Sequence, residues 1–248
     1  MSKSINIFGF HSVESLLRTN PESVIKVFIH INRKDKRANE LVNTLTNQKI
    51  AFSTTDKNDL DRISKGEIHQ GVISEVILPP LLNEESLFKS ISDNSLKPLI
   101  LVLDSIQDPR NLGACLRSAN AAGVNYVIIN KDGSAPINAV VHKTSAGAIN
   151  SLKIFHVTNL SRTIKEMQKR GIWVIGLDGS SKSTIYDVNL TDATAIVMGS
   201  EGKGIRRLIK ENCDQIVTIP MSGNIESLNV SVATGIALFE SKRQREST

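Results

Sequence analysis

Long apolar runs are missing from this chain. No stretch approaches the roughly 18 consecutive apolar residues that a membrane-spanning helix needs, and the opening MSKSINIFGFH lacks the apolar core of a secretory signal. The expectation is therefore a cytoplasmic protein with no membrane partner. Cysteine is scarce as well: Cys115 and Cys213 stand in separate segments without metal-ligand spacing, so they read as small buried hydrophobes and no metal site is expected. Signatures of several common enzyme classes are absent too. There is no GxGxxG for a dinucleotide, or for the common adenosylmethionine sites, and no GxSxG elbow for Ser-His-Asp chemistry. The glycine loop VMGSEGKGI fails the Walker spacing and carries Gly204 where Ser or Thr must follow Lys203.

What is present is a moderate positive balance, 30 Lys and Arg against 25 Asp and Glu, in a chain of 248 residues that is 40% hydrophobic. That length and composition suit a globular protein of two domains. The cations cluster as Arg33, Lys34, Lys36 and Arg37, as Lys203, Arg206, Arg207 and Lys210, and as Lys242, Arg243 and Arg245. Such clusters permit an anionic partner such as RNA, and each taken alone is equally a solvated face.

Helix and strand patterns alternate along the chain. Up to about Ile77, the amphipathic HSVESLL, the strand KVFIHI, a charged helix over 35–48, AFSTT, a short helix near 56–64 and the strand GVISEVI make a compact α/β unit. Pro79, Pro80 and the Ser-rich stretch up to Pro98 predict a linker over 78–97, with one short helix near 84–90. Beyond it, LILVLD, VNYVIIN, LKIFHV, IWVIGLD, TAIVMGS and QIVTIP predict the strands of a buried parallel sheet. Helices are expected over 112–122, 138–147, 160–170, 205–210 and 229–243, on both faces of that sheet. The expected layout is a first domain over 1–77, the linker over 78–97, and a larger α/β domain over 98–248.

Ligands of open α/β sheets bind where strands end, so the loops after strands carry the functional information. Three stand out. After LILVLD, the helix start DPRNLGACLRSANAAGV sets Arg117 over the small Gly113 and Ala114 and, across roughly 9 Å of helix rise, within reach of Asn111. An arginine among small residues suits a phosphate, and is also what a surface arginine on a packed helix looks like. In VMGSEGKGI, Glu201 stands among Gly199, Gly202 and Gly204, which permit close backbone approach to a ligand or simply a tight turn. In IPMSGNIESLNVSVATGIALFE, the polar Ser222, Gly223, Asn224, Ser227 and Asn229 precede an apolar helix that should be buried on most sides, with Ser227 or Asn229 as its cap. Converging on one pocket, the three loops describe an anion-binding enzyme. Asp104, Asp108 and Asp178 offer acid or base groups, but no spacing pairs them.

These three stretches, in this order, resemble the motifs of the SpoU (TrmH-type) RNA ribose 2'-O-methyltransferases, and the resemblance covers residues 98–245. FGFHSVESLL and HQGV further resemble the small ribosomal-protein-like (L7Ae/L30e-like) substrate-binding domain attached to many members. The resemblance implies a C-terminal α/β domain tied in a deep trefoil knot, a homodimer, and RNA rather than DNA as the macromolecular partner. It implies S-adenosyl-L-methionine as cofactor and methylation of a ribose 2'-hydroxyl. A guanosine of 23S rRNA is the expected target; a tRNA ribose, or a non-catalytic RNA-binding adapter, is the alternative.

Carried over by position, Met198, Gly199, Ile219, Met221, Ser222 and Leu228 would hold the cofactor, and Arg117, Asn111, Glu201, Ser227 and Asn229 would form the active site. Ser200 and Glu226 depart from the family's pattern, Glu226 by adding charge to the loop. The family proposal has Arg117, engaged by a phosphate, assist removal of the 2'-hydroxyl proton. A guanidinium with a pKa above about 12 is a poor base at neutral pH, so phosphate binding and ribose orientation are its expected tasks. Ser227, Ser231 and Gly235 share a helical face if the last helix begins early enough, which would ease close approach of two such helices across a dimer.

Overall fold

The computed structural model describes residues 4–77, 82–92, 97–223 and 227–247, so Asn224 and Glu226 of the loop reading lie outside the described residues. The chain forms two compact units, Met1–Pro80 with Ile137–Ser151, and Leu81–Pro136 with Leu152–Thr248. Among the described residues, no helix is long and apolar enough to cross a membrane.

In the first unit, β1 (Ser4–Phe8), α1 (Phe10–Thr19), β2 (Val24–His30), α2 (Lys36–Asn47), β3 (Phe52–Thr55), α3 (Lys57–Ser64) and β4 (Val72–Ile77) follow one another. The sheet order is β1-β4-β2-β3, with β4 antiparallel to both neighbours and β3 parallel to β2. Helices α1 and α2 bury Phe10, Val13, Leu17, Leu41 and Leu45 against Val27, Ile29 and Val72 of the strands. Two helix starts are set by an aspartate whose side chain accepts a backbone N–H, Asp35 from Ala38 and Asp56 from Asp59. Strand β1 has no counterpart in the expected layout. SINIF is short and has no turn residues before it, and its pairing is decided by β4, some seventy residues away.

The second unit begins with β5 (Leu82–Asn83) and α4 (Glu84–Ser90), followed by β6 (Leu99–Leu103), α5 (Pro109–Ala122) and β7 (Tyr126–Asn130). After α6 (Ala139–Thr144), which belongs to the first unit, come β8 (Lys153–Val157), α7 (Leu160–Gln168), β9 (Trp173–Leu177), β10 (Thr194–Met198), α8 (Arg207–Glu211), β11 (Gln215–Val217) and α9 (Val230–Glu246). Their sheet is parallel throughout, in the order β11-β9-β10-β6-β7-β8-β5. Every residue of β6, β7 and β10 is buried, which is why these strands read as unbroken apolar runs rather than alternating ones. One face packs Ile100, Val102, Ile128 and Val197 under α4, α7 and α8 through Leu87, Ile164, Met167 and Ile209. Side chains alternate along a strand, so the intervening residues serve the opposite face, where α9 lies along β10 and packs against α5.

Part of the stretch expected as a linker is packed instead. Asn83 caps α4, Leu82 and Asn83 pair with β8 at the sheet edge, and Leu87 is fully buried. The short helix expected near 84–90 is present as α4, about two turns long, and Leu87 together with Ile91 just past its end anchors it to the core.

The segment Ile137–Ser151 likewise departs from a continuous domain over 98–248, because it docks on the first unit. Ala139 packs on Phe8, Leu60 and Ile73, and Lys143 Nζ lies 3.8 Å from Glu67. His142 is buried without a hydrogen bond to Nε2 among the described residues, and burial pushes its pKa down to about 4. Gly147 has φ +86°, and a Cβ there would overlap the Ser15 side chain. Gly147→Ala should therefore destabilise the first unit by about 1–3 kcal/mol in denaturant unfolding, and Ser15→Gly should recover only part of that loss, because the φ strain stays.

Candidate functional site

Strands β9, β10 and β6 are neighbours, and β11 lies beside β9, so the loops leaving their carboxyl ends share one rim of the sheet. Asn111 sits in the first turn of α5, which Asp108 caps by accepting from Arg110 N–H at 2.8 Å. Asn111 Nδ2 donates to Glu201 Oε1 at 2.6 Å. Asn229, on the far side in sequence, donates from Nδ2 to both Asn111 Oδ1 (3.1 Å) and Glu201 Oε1 (2.7 Å). Its Oδ1 accepts from Ser231 N–H at 2.9 Å and Ser231 Oγ at 2.6 Å, which makes Asn229 the cap of α9 and fixes which end of its amide faces the cluster. Residues from three loops thus form one hydrogen-bonded group. Among the described residues, Glu201 has amide partners and no cation.

The glycine loop is held at both ends. A Cβ on Gly199 would overlap the backbone of Gly204 and Ile205, and Ser200 and Gly204 exchange backbone hydrogen bonds of 3.1 and 2.9 Å. Gly202 and Gly204 take φ +75° and +63°, a region in which other residues are strained. Just beyond, the fully buried Asp104 accepts from Arg206 N–H at 2.9 Å and from Arg206 Nε at 2.7 Å. Asp104 and Asp108 therefore hold the chain in place, one as a buried ion-pair partner and the other as a helix cap.

Between these loops lies a cavity of about 350 Å³, within the range of small-molecule sites. Met198, Gly199, Glu201, Ile219, Met221, Ser227 and Leu228 line it, joined by Asp178 and Thr218. Ser222 is exposed and does not line it. Apolar walls at Met198, Ile219 and Leu228 suit a flat base, and Asp178, Glu201 and Ser227 supply the polar groups that an adenosylated amino acid needs. Arg117 is exposed on α5 and, among the described residues, has neither an ion-pair nor a hydrogen-bond partner. The expected contact with Asn111 is not formed; Asn111 Oδ1, the atom that could accept from a guanidinium, accepts from Asn229 Nδ2, and its Nδ2 donates to Glu201. Cys115 lies under α9 at 3.4 Å from Thr234 Oγ1, and burial pushes its thiol up to about 11. Burial likewise takes Cys213 up to about 12, so neither is a nucleophile.

Residues 98–239 match the SpoU rRNA Methylase family, and residues 6–80 match the family of RNA 2'-O ribose methyltransferase substrate-binding domains. The chain belongs to the SpoU rRNA methylase family. It is 46% identical, over 98% of both chains, to the 23S rRNA (guanosine-2'-O-)-methyltransferase RlmB of Haemophilus ducreyi. It is 45% identical to the Escherichia coli K12 protein of that name, over 96% of this chain and 98% of the other. The SpoU methyltransferase AviRb of Streptomyces viridochromogenes, solved with AdoMet, shares the fold with TM-score 0.82 at 22% identity, over 99% of this chain and 92% of that one. The TrmH/SpoU tRNA modifying enzyme of A. aeolicus is 32% identical with TM-score 0.57, over 66% of this chain and 85% of its own.

For this SpoU family member, sequence reasoning missed the structural role of Asp104 and the presence of Asp178 and Thr218 in the cavity. The signal for Asp178 was its place directly after a strand, at the same rim as the three motif loops; LDG lacks the polar cluster that marked them. Asp104→Asn should lower unfolding stability by about 1–3 kcal/mol by leaving Arg206 without its carboxylate. Hydrogen exchange at the Ser200 and Gly204 amides should rise in the same variant.

Proposed function

We propose that the chain transfers the methyl group of S-adenosyl-L-methionine to the ribose 2'-hydroxyl of a guanosine in 23S rRNA. The observation that carries this reading is the group Asn111, Glu201 and Asn229, with Glu201 also lining the cavity, in a chain whose relatives of that name match it from end to end. When bound, the cofactor supplies an electrophilic methyl on a sulfonium. The chain's own residues position the nucleophile. Arg117, exposed and without a carboxylate partner among the described residues, takes a phosphate of the target nucleotide and orients its ribose. Glu201, kept in place by two amides, and Ser227 complete the hydrogen-bonding wall against that ribose. Met198, Gly199, Ile219, Met221 and Leu228 hold the cofactor, with Ser222 on the same loop.

Residues 1–77 serve as an L7Ae/L30e-like RNA-binding domain, a reading supported by the α/β sandwich of the first unit and by the match over residues 6–80. The larger domain is tied in a deep trefoil knot. Support comes from the strand order β11-β9-β10-β6 and from the closeness of Gly199 to Gly204 and Ile205. A ribosomal RNA target fits a cytoplasmic location.

The protein acts as a homodimer through α9. Its apolar residues are not all covered: Val232 is 51% exposed and Phe239 47%, with the half-buried Ile236 between them at helical spacing. Gly235, expected at that contact, also faces α5 of the same chain, where a Cβ would lie 3.7 Å from Ser118 Oγ, an ordinary contact distance. Phe239→Asp should convert dimer to monomer in analytical ultracentrifugation without lowering the stability of the protomer.

Mapping 2'-O-methyl groups in 23S rRNA from cells with and without the gene tests the function, and one guanosine should lose its mark. In a reconstituted assay Arg117→Ala should lower transfer at least about 100-fold while S-adenosylhomocysteine binding stays close to wild type. RNA binding by the wild type without transfer of label would identify an adapter instead.

A further inference from the structure

Two ionisable side chains that line the cavity, Asp178 and the exposed Lys203, have no task in the mechanism, and of the two Asp178 is the shielded one. Asp178 follows β9 directly, and its side chain is 17% exposed. Ser180 donates to it from both backbone and side chain and Lys210 from its ammonium, and the two contacts at 2.9 Å end on the same oxygen. Ser180 N–H donates to Oδ1 at 2.9 Å, and Lys210 Nζ lies 2.9 Å from that atom. Oδ2 is the oxygen on the side of Gly204, 3.5 Å from the place a Cβ of that glycine would take. Burial opposes the charge, yet donation from Ser180 and Lys210 outweighs it and holds the carboxyl below the usual range. An ionised acceptor with unused capacity therefore faces a ligand cavity, where losing water without gaining a donor is costly.

The chemistry of the missing donor follows from Lys210. An ammonium or sulfonium at Oδ2 would share one carboxylate with the Lys210 charge and be repelled by it, whereas a neutral donor meets no such opposition. Of the neutral donors on an adenosylated cofactor, the adenine amine is flanked by ring nitrogens that are themselves acceptors and repel a carboxylate. The ribose presents two adjacent hydroxyls. We propose that Asp178 binds the cofactor ribose, its Oδ2 accepting from the vicinal hydroxyls, an inference that rests on the cofactor reading above.

Calorimetric titration of the full chain with S-adenosylhomocysteine and with 5'-methylthioadenosine tests this, since both ligands keep the ribose and only the first keeps the amino acid. Asp178→Ala should weaken both equally, by about tenfold or more, and the isosteric Asp178→Asn should weaken both in the same direction. In competition binding, the wild type should prefer adenosine to its 2'-deoxy and 3'-deoxy forms, and Asp178→Ala should lose that preference. Lys210→Met, which breaks the ion pair and leaves Oδ2 untouched, should retain it. Unchanged affinities, a loss confined to S-adenosylhomocysteine, a hydroxyl preference that survives in Asp178→Ala, or the full defect reproduced by Lys210→Met would each overturn the proposal. If the wild type binds none of these ligands, the cofactor reading itself fails, and this assignment with it.

Discussion

Contact between two stretches of bare backbone governs the site. Gly199 runs so close to Gly204 and Ile205 that no side chain fits between them, and the loop doubles back on itself through paired Ser200 and Gly204 amides. Such a turn has little to hold it from within. Asp104, buried at the end of β6, supplies the anchor by gripping both the backbone and the guanidinium of Arg206. An internal carboxylate usually costs as much as it yields. Here it fixes where Glu201 can be, and through Glu201 the relative placement of Asn111 and Asn229.

The charges of the site are kept apart. Glu201 is satisfied by amide donors, so it stays in position without consuming a cation, and Arg117 remains uncommitted among the described residues. An Arg117–Glu201 ion pair would have neutralised the one group best suited to a phosphate. The helix cap at Asn229 contributes to the same end. Binding the start of α9 with Oδ1 obliges the amide to present Nδ2 to Glu201, so local helix chemistry and site geometry are settled by one side chain.

Much of this was legible in the residues. Fully apolar runs gave β6, β7 and β10, because strands buried on both faces admit nothing else, and short polar residues marked the starts of α2, α3 and α5. Three loops after strands gave Asn111, Glu201 and Asn229 as neighbours. What escaped depends on tertiary partners. β1 exists through pairing with β4, and the expected linker is packed through Leu82 and Asn83 on β8 and Leu87 in the core, partners far along the chain. The burial expected around α9 was overstated at Val232 and Phe239, since apolar character does not tell which side has an intrachain neighbour. Asp104 and Asp178 looked alike in sequence, one aspartate after each strand; only the fold distinguishes an anchor from a cavity wall.

The loan of Ile137–Ser151 to the first unit has a consequence for how this gene can be divided. The polypeptide passes between the units three times, near residues 80, 136 and 151, rather than once. A fragment ending at Pro80 would leave Phe8, Leu60 and Ile73 without the cover that Ala139 gives them, and the remaining fragment would carry an apolar segment with nothing to dock on. Neither half is a free-standing cassette. Recombination that exchanged the RNA-binding portion between relatives would have to carry both pieces together, so the two portions are constrained to diverge in step.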